Sequence, residues 1–300
     1  MIITRRVQTI AGPILTRGGA TTLVRGLRRV PIIPLLIIVG VVFMAVFADV
    51  LAAHSPTLPS LTHRLKPPFW EEGGSLSYPL GTDPLGRDIL TRIMFGARVS
   101  LTVAALTLLL GGVGGAIIGL FSGYMGGKID ALIMRVADAA LAFPIILLAI
   151  LLVATIGAGL TNVIYAIAMV LWARYARVIR GEVLALKEAD FVARARVAGC
   201  SHVRIMAVHL FPNVVNTLIV LITLEVGSII IIEASLSFLG AGVPPPNPAW
   251  GSMVSDGRDY IVDAWWVSLI PGLAIMLVVL GFNLFGDWLR DRLDPKRRQL

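Results

Sequence analysis

The residues able to do chemistry are few and scattered. Two carboxylates, Glu225 and Glu233, interrupt an otherwise apolar run over residues 214–239. On an ideal helix their separation turns them about 80° apart. Ionisable groups inside a span are costly and usually face the bundle interior. The pair therefore suits a proton relay or the lining for a cationic substrate. The simpler reading, which we favour, has Glu233 hydrogen-bonding a neighbouring helix or loop. Arg135 and Asp138 stand three apart and can pair on one helix. His54, His63, His202 and His209 lack metal-ligand spacing, and although His202 and His209 can share a helix face, no carboxylate completes a site. The stretch SGYMGGKI, residues 122–129, is the nearest approach to a phosphate-binding loop. It has Ser122 where glycine is needed and Ile129 where a magnesium-binding hydroxyl is needed. No G-x-S-x-G nucleophile elbow occurs. The lone cysteine, Cys200, excludes an intrachain disulfide and a cysteine metal cluster. The expectation is a chain with no catalytic residue, no cofactor and no metal of its own.

The elements around these residues are apolar and long. The 300 residues are 57% apolar and 15% charged, with mean hydropathy +0.85. Soluble domains average about 45–50% apolar and about 25% charged, so an ordinary soluble domain and a disordered chain are both excluded. A first run covers residues 31–48, too long and too far from the start for a signal peptide, and Arg5-Arg6 stands too far ahead of it for a twin-arginine signal. A second covers 99–127. A third, 139–173, exceeds one span and breaks at Gly157-Ala158-Gly159-Leu160-Thr161-Asn162, so it reads as two helices. The last two are 214–239 and 264–286. Six spans put both termini on one side. Glycines 111, 115, 119, 123 and 127 repeat every four residues, a stripe that lets a second backbone approach closely. The last two can instead mark a loop beginning near Ser122.

Net charge is +8 with pI about 10.2. In a soluble protein this would suggest nucleic acid; here basic residues hold loops in the cytoplasm. Of the 26 Lys and Arg residues, only Arg64, Lys66, Arg87, Arg92, Arg98 and Arg258 fall outside one set of segments. That set comprises a cytoplasmic tail (1–30), the 127–138 connection, the 174–204 segment and a cytoplasmic tail (291–300) together with Arg290 just before it. The remaining divisions are a first transmembrane helix (31–52), an extracytoplasmic loop (53–98) expected to form an interfacial helix, and a five-helix core (99–290). A cytoplasmic loop at 179–213 lies within that core. It is amphipathic: Phe191, Val192, Ala195, Ala198 and Gly199 alternate with Arg194, Arg196 and His202. Gly199 breaks it into two short helices, and Pro212 marks entry to the next span. Such a pair lies on anionic lipid or docks into a groove of a soluble partner.

This loop resembles that of binding-protein-dependent ABC importer permeases, with the pattern E-A-A-x3-G-x9-I-x-L-P. Ala195, Gly199 and Pro212 fall at the matching positions. Ala193 stands for the Glu, Arg194 for the first Ala, His209 for the Ile and Phe211 for the Leu. Other segments resemble the dipeptide, oligopeptide and nickel permease subfamily: LGTDPLGRDILTRIMFGARVSL (80–101), MRVADAALAFP (134–144), EASLSFLGAGVPPPNPAWGSM (233–253) and PGLAIMLVVLGFNLFGDWLRDRLDP (271–295). The resemblance spans about residues 30–296 and is to the "C" type of the two permeases, with PPFWEEGG (67–74) resembling dipeptide permeases in particular.

The resemblance implies an all-α integral membrane protein with six transmembrane helices and the type I ABC importer permease fold in a prokaryotic inner membrane. It implies a second homologous permease chain, two ABC ATPase subunits that bind the ATP and Mg, and an extracytoplasmic substrate-binding protein. It also implies an ATPase-docking loop made by Phe191, Val192, Ala193, Arg194, Ala195, Gly199, Cys200 and Pro212, with small residues at Ala195 and Gly199 permitting close docking. Di- and oligopeptides are the expected cargo, with nickel chelates, glutathione or another small solute as alternatives. A proton-coupled secondary transporter using Glu225 or Glu233 is the rival of a different class.

Overall fold

The structure is a computed structural model that describes residues 31–293. The tail 1–30, with Arg5-Arg6, and residues 294–300 of the C-terminal tail lie outside the described residues. Helices are the regular elements of the described residues, joined by turns and one long irregular segment. The helices are α1 (Ile32–Val46), α2 (Ala48–Leu51), α3 (Ile89–Met125), α4 (Gly127–Leu141), α5 (Ile145–Ile156), α6 (Leu160–Leu186), α7 (Asp190–Val197), α8 (His202–Phe238), α9 (Trp250–Gly257) and α10 (Trp266–Leu293). By length and composition α3, α6, α8 and α10 can each cross a membrane. The α4–α5 pair, bent by 94°, makes a fifth candidate. α1 has 15 residues, about 22 Å at 1.5 Å per residue, against about 30 Å of hydrocarbon.

The third apolar run differs from its expected form. It breaks at Pro144 as well as at Gly157. Proline has no N–H and disfavours helix at the residue before it, so α4 ends at Leu141 and α5 starts afresh at Ile145. The break at 157–162 stands as read. Gly157 and Gly159 take positive φ of 94° and 153°. Asn162 Nδ2 closes the turn by donating to the Ile156 and Gly157 carbonyls, both at 3.0 Å.

The glycine stripe joins α3 to α6. A Cβ at Gly111 would lie 2.9 Å from the Ala168 carbonyl oxygen, and one at Gly123 would lie 3.0 Å from that of Arg180. At Gly115 and Gly119 it would overlap the Trp172 and Ala176 carbonyl oxygens. The two backbones meet along four consecutive turns. Gly123 is therefore a packing residue rather than a loop marker, and α3 runs on to Met125. Gly127, with φ of 62° and nothing near its missing Cβ, does mark the turn. α3 and α8 each contain one wider π turn, Leu108–Val113 and Ile205–Leu210.

The 53–98 segment forms no interfacial helix. Residues 53–88 are irregular apart from a single 3-10 turn at Leu61–His63, and α3 begins at Ile89, capped by Asp88, whose Oδ2 accepts from the Thr91 amide at 3.0 Å. Polar clasps replace the helix. Arg87 Nε donates to Asp83 Oδ2 at 2.6 Å, and Arg92 Nη1 donates to the Pro56 carbonyl at 3.1 Å. The Trp265 indole donates to Glu71 at 2.8 Å and the Trp266 indole to the Thr82 carbonyl at 3.2 Å. Asp256 on α9 joins Arg87 at 3.6 Å. Burial lifts the Asp256 carboxyl above the usual carboxylate range, and Arg92 and Arg87 partly offset the lift. The buried Trp250 ring lies on Gly96, where a Cβ would stand 2.6 Å from it, and its N–H donates to the Ile93 carbonyl at 3.1 Å.

Candidate coupling site and membrane-embedded charges

Helix α7 and its turn occupy the connection between α6 and α8. Val192 and Ala195 are buried against the chain's own core with Ile205 and Leu210, and Phe191 and Cys200 pack beside them half-buried. Ala193, Arg194, Arg196 and Val197 form the exposed face. Ala195 is thus covered by its own chain, where a small side chain fits. Gly199 is set by backbone geometry. The Cys200 amide donates to Ala195 and the Gly199 amide to Arg196, both at 3.0 Å. This is the two-bond helix terminator that needs a left-handed residue, and Gly199 supplies it with φ of 77°. Nothing among the described residues stands within 4 Å of its missing Cβ. Ser201 then caps α8, accepting from the Arg204 amide at 3.3 Å. Pro212 is exposed and follows the π turn at Ile205–Leu210, which accommodates a residue with no N–H to donate.

Contacts that sequence spacing does not record tie this connection to the bundle. The Tyr124 hydroxyl, at the end of α3, is hydrogen-bonded to His202 Nδ1 at 2.8 Å, and the Arg196 guanidinium lies 5.8 Å over the Tyr124 ring. Lys187 Nζ donates to the Gly123 carbonyl at 3.2 Å. Arg180 on α6 grips Asp130 on α4 with two bonds of 2.5 and 2.6 Å, and the Ser122 hydroxyl donates to the same carboxylate at 2.5 Å. A signal existed in Asp130 and Arg180 as charges beside apolar runs, but not the fact that they meet. The exposed apolar residues Val197 and Val203, 91% and 71% accessible, also went unnoticed. They stand at positions the matched motif leaves unspecified and extend the outer face of the connection.

The expected Arg135–Asp138 pair does not form: Asp138 is taken by Arg177 of α6. α4 packs beside α6, so the longer reach across helices replaces the local one. Glu225 on α8 pairs with Arg174 on α6 at 3.0 Å. Glu233 is fully buried and accepts from Ser100 of α3 at 3.0 Å and from Ser237 at 2.8 Å. The favoured reading of Glu233, a hydrogen bond to a neighbouring helix, holds. His202 bonds Tyr124 rather than joining His209, and among the described residues no group of three His, Cys, Asp or Glu side chains is placed to hold a metal.

The chain's similarities follow the same lines. Residues 115–299 match the family described as "Binding-protein-dependent transport system inner membrane component". The chain is 44% identical over 262 residues to a di/tripeptide transport system permease protein DppC of Pseudomonas aeruginosa, covering 87% of this chain and 86% of that one. It is 46% identical over 268 residues to the dipeptide transport system permease protein DppC of Escherichia coli, covering 89% of each. A dipeptide transport system permease protein DppC of Alkalihalophilus pseudofirmus is 43% identical over 270 residues, 90% of this chain and 87% of the relative. With several apolar helices able to span a bilayer and these matches across most of its length, this chain belongs to the family of inner-membrane components of binding-protein-dependent transport systems.

Proposed function

We propose that this protein is one of two permease subunits of an ATP-driven importer of di- and oligopeptides. The observation that carries the reading is similarity of 43–46% over about nine-tenths of the chain to permeases named for dipeptide or di/tripeptide transport. In this reading α1, α3, the α4–α5 pair (counted as one), α6, α8 and α10 are six spans, with both termini and the α7 connection in the cytoplasm. Residues 53–88 and α9 lie outside and receive the binding protein. A second, homologous permease completes the path, and two ATPase subunits carry the ATP and Mg. The exposed face of α7 and the start of α8 (Ala193, Arg194, Val197 and Val203) would enter the ATPase groove, while Phe191, Val192, Ala195, Gly199, Cys200 and Pro212 hold that face in shape.

The exposed valines support this reading. Two apolar side chains flanked by Arg194, Arg196 and Arg204 are unfavourable in water and suit an apolar groove with an acidic rim. The test is uptake of labelled dipeptides with and without the gene, while ATP and the proton gradient are collapsed separately. Loss of ATP-dependent uptake on deletion, restored by the intact gene, is expected. Uptake that follows the proton gradient alone would overturn the reading in favour of coupling through Glu225 or Glu233.

A further inference from the structure

Arg174 and Glu225 stand near the middle of α6 and of the Phe211–Phe238 part of α8, both in helices long enough to span. Glu225 is covered, its side chain 5% exposed, but that of Arg174 is 53% exposed. Arg174 ends the apolar part of α6 and opens its basic half, so it lies inside a spanning helix rather than wholly in the cytoplasmic segment, and a half-exposed guanidinium there is costly wherever it meets hydrocarbon; such groups face a bundle interior or a water-filled cavity. The face of the chain that presents Arg174 is therefore not its lipid face. Beside it lies a recess of about 470 Å³, also lined by Glu182, Asn213, Asn216, Thr217 and, from the end of α10, Arg290, within the ~300–1,000 Å³ of ligand-sized sites. The Thr217 hydroxyl donates to Glu182 Oε1 at 3.1 Å. Glu182 Oε2 is buried with no hydrogen-bond partner among the described residues. Glu225 engages only Nη1 of the Arg174 fork, which has five donors in all. A second recess of about 480 Å³, lined by Ile146, Ile231, Phe238 and Leu239, presents no charge at all.

We infer that the Arg174–Glu182 recess is a polar station on the solute path that takes the two charged ends of a zwitterionic peptide. Arg174 receives the C-terminal carboxylate, as a planar fork suited to two parallel N–H···O bonds. Glu182, whose covered and unpartnered oxygen a turn of the side chain would bring to the recess, receives the N-terminal ammonium. Asn213 and Asn216 offer amides to the peptide bond between them, donors and acceptors that fit any side-chain sequence. The inference rests on the peptide-importer reading and names the part of this chain that would meet the cargo.

Two measurements on the complete transporter test it. In a Cys200→Ser background held in nanodiscs, Asn216→Cys is treated with a charged thiosulfonate reagent and compared with Leu280→Cys on the apolar surface of α10. Labelling is read on this chain's band. Faster reaction at position 216, slowed by added dipeptide, is expected. A residue 216 that does not react, because lipid or the second permease covers it, overturns the inference. In proteoliposomes, wild type and the Arg174→Gln/Glu225→Gln double variant, which removes the pair without stranding a charge, are given a dipeptide and its C-terminal amide. The double variant is expected to import the free dipeptide about tenfold more slowly. It should also lose discrimination against the amide while keeping binding-protein-stimulated ATP hydrolysis. Unchanged discrimination overturns the inference. Wild-type transporter that imports no peptide with ATP overturns the peptide-importer reading itself.

Discussion

Gly199 sits where the proposed docking helix and a backbone requirement coincide, and the two make opposite demands on a substitution. If only smallness matters, alanine should serve and asparagine should not. The φ of 77° reverses that order, because a non-glycine residue in the left-handed region costs about 1–2 kcal/mol while Asn adopts it readily. Gly199→Asn is therefore expected to retain more dipeptide uptake than Gly199→Ala, with Gly199→Val lowest, all at equal membrane level. Ala outperforming Asn would return Gly199 to the role the motif suggested, a gap for close docking. Asp130 makes a second residue-scale prediction. It is buried and bound by Arg180 and Ser122. The pair is part-buried, and removing one partner leaves the other charge uncompensated, so Asp130→Ala should lower the unfolding midpoint of the detergent-purified complex. Replacing Arg180 in the same background should then add little, because the pair is already gone. Nothing in the sequence pairs Asp130 with Arg180, fifty residues on, or takes Asp138 from Arg135, because both contacts cross between helices.

At the scale of elements, the glycine stripe makes a sharper prediction than apolar burial does. Lipid is as apolar as leucine, so helices in a bilayer associate through close backbone contact and hydrogen bonds. Gly119 of α3 lies directly on the Ala176 backbone of α6, whereas Gly114, one turn away on another face, has nothing within 4 Å. Gly119→Leu should sharply reduce the amount of assembled protein in the membrane. Gly114→Ala should leave it unchanged or slightly higher, since alanine favours helix over glycine by about 1 kcal/mol. Quantitative immunoblotting of membrane fractions checks both. This contact was legible because a four-residue period in small residues has few other uses, and the apolar runs located α3, α6, α8 and α10 almost as directly. The 53–88 segment was not legible. Its order comes from Arg87, Arg92, Trp265 and Trp266 reaching into its backbone and acidic residues, and no periodicity records such clasps. Proline at 144 was visible, but its effect was hidden by apolar residues on both sides that keep the hydropathy high through the bend.

At the scale of the molecule, the α7 connection is fixed to the bundle on one side and bare on the other. Tyr124, His202, Lys187 and the Gly123 carbonyl anchor it, and Val197 and Val203 project from it. Val197→Asp is expected to leave the membrane level intact and to reduce co-purification of the ATPases in mild detergent, with dipeptide uptake falling in proportion. Retained ATPase with normal uptake would remove this face from the coupling surface. The site residues named from the motif were legible by position, but their division into those facing inward and those facing outward was not. That division depends on which side of α7 meets Ile205 and Leu210.

The α3–α6 contact also decides what can move. Four glycines seated against the opposing backbone leave no room for one helix to slide along or roll over the other. These two helices must therefore travel as a single lever, carrying with them Arg174 at one level and, through Tyr124 and His202, the α7 connection at another. Among the places where the helical ladder is interrupted, three flank this pair or the bent helices beside it: Gly126–Gly127, the bend before Pro144 and the Gly157–Gly159 turn. A push delivered at α7 would then pass along both helices together, and the stroke would depend on how far those three joints open.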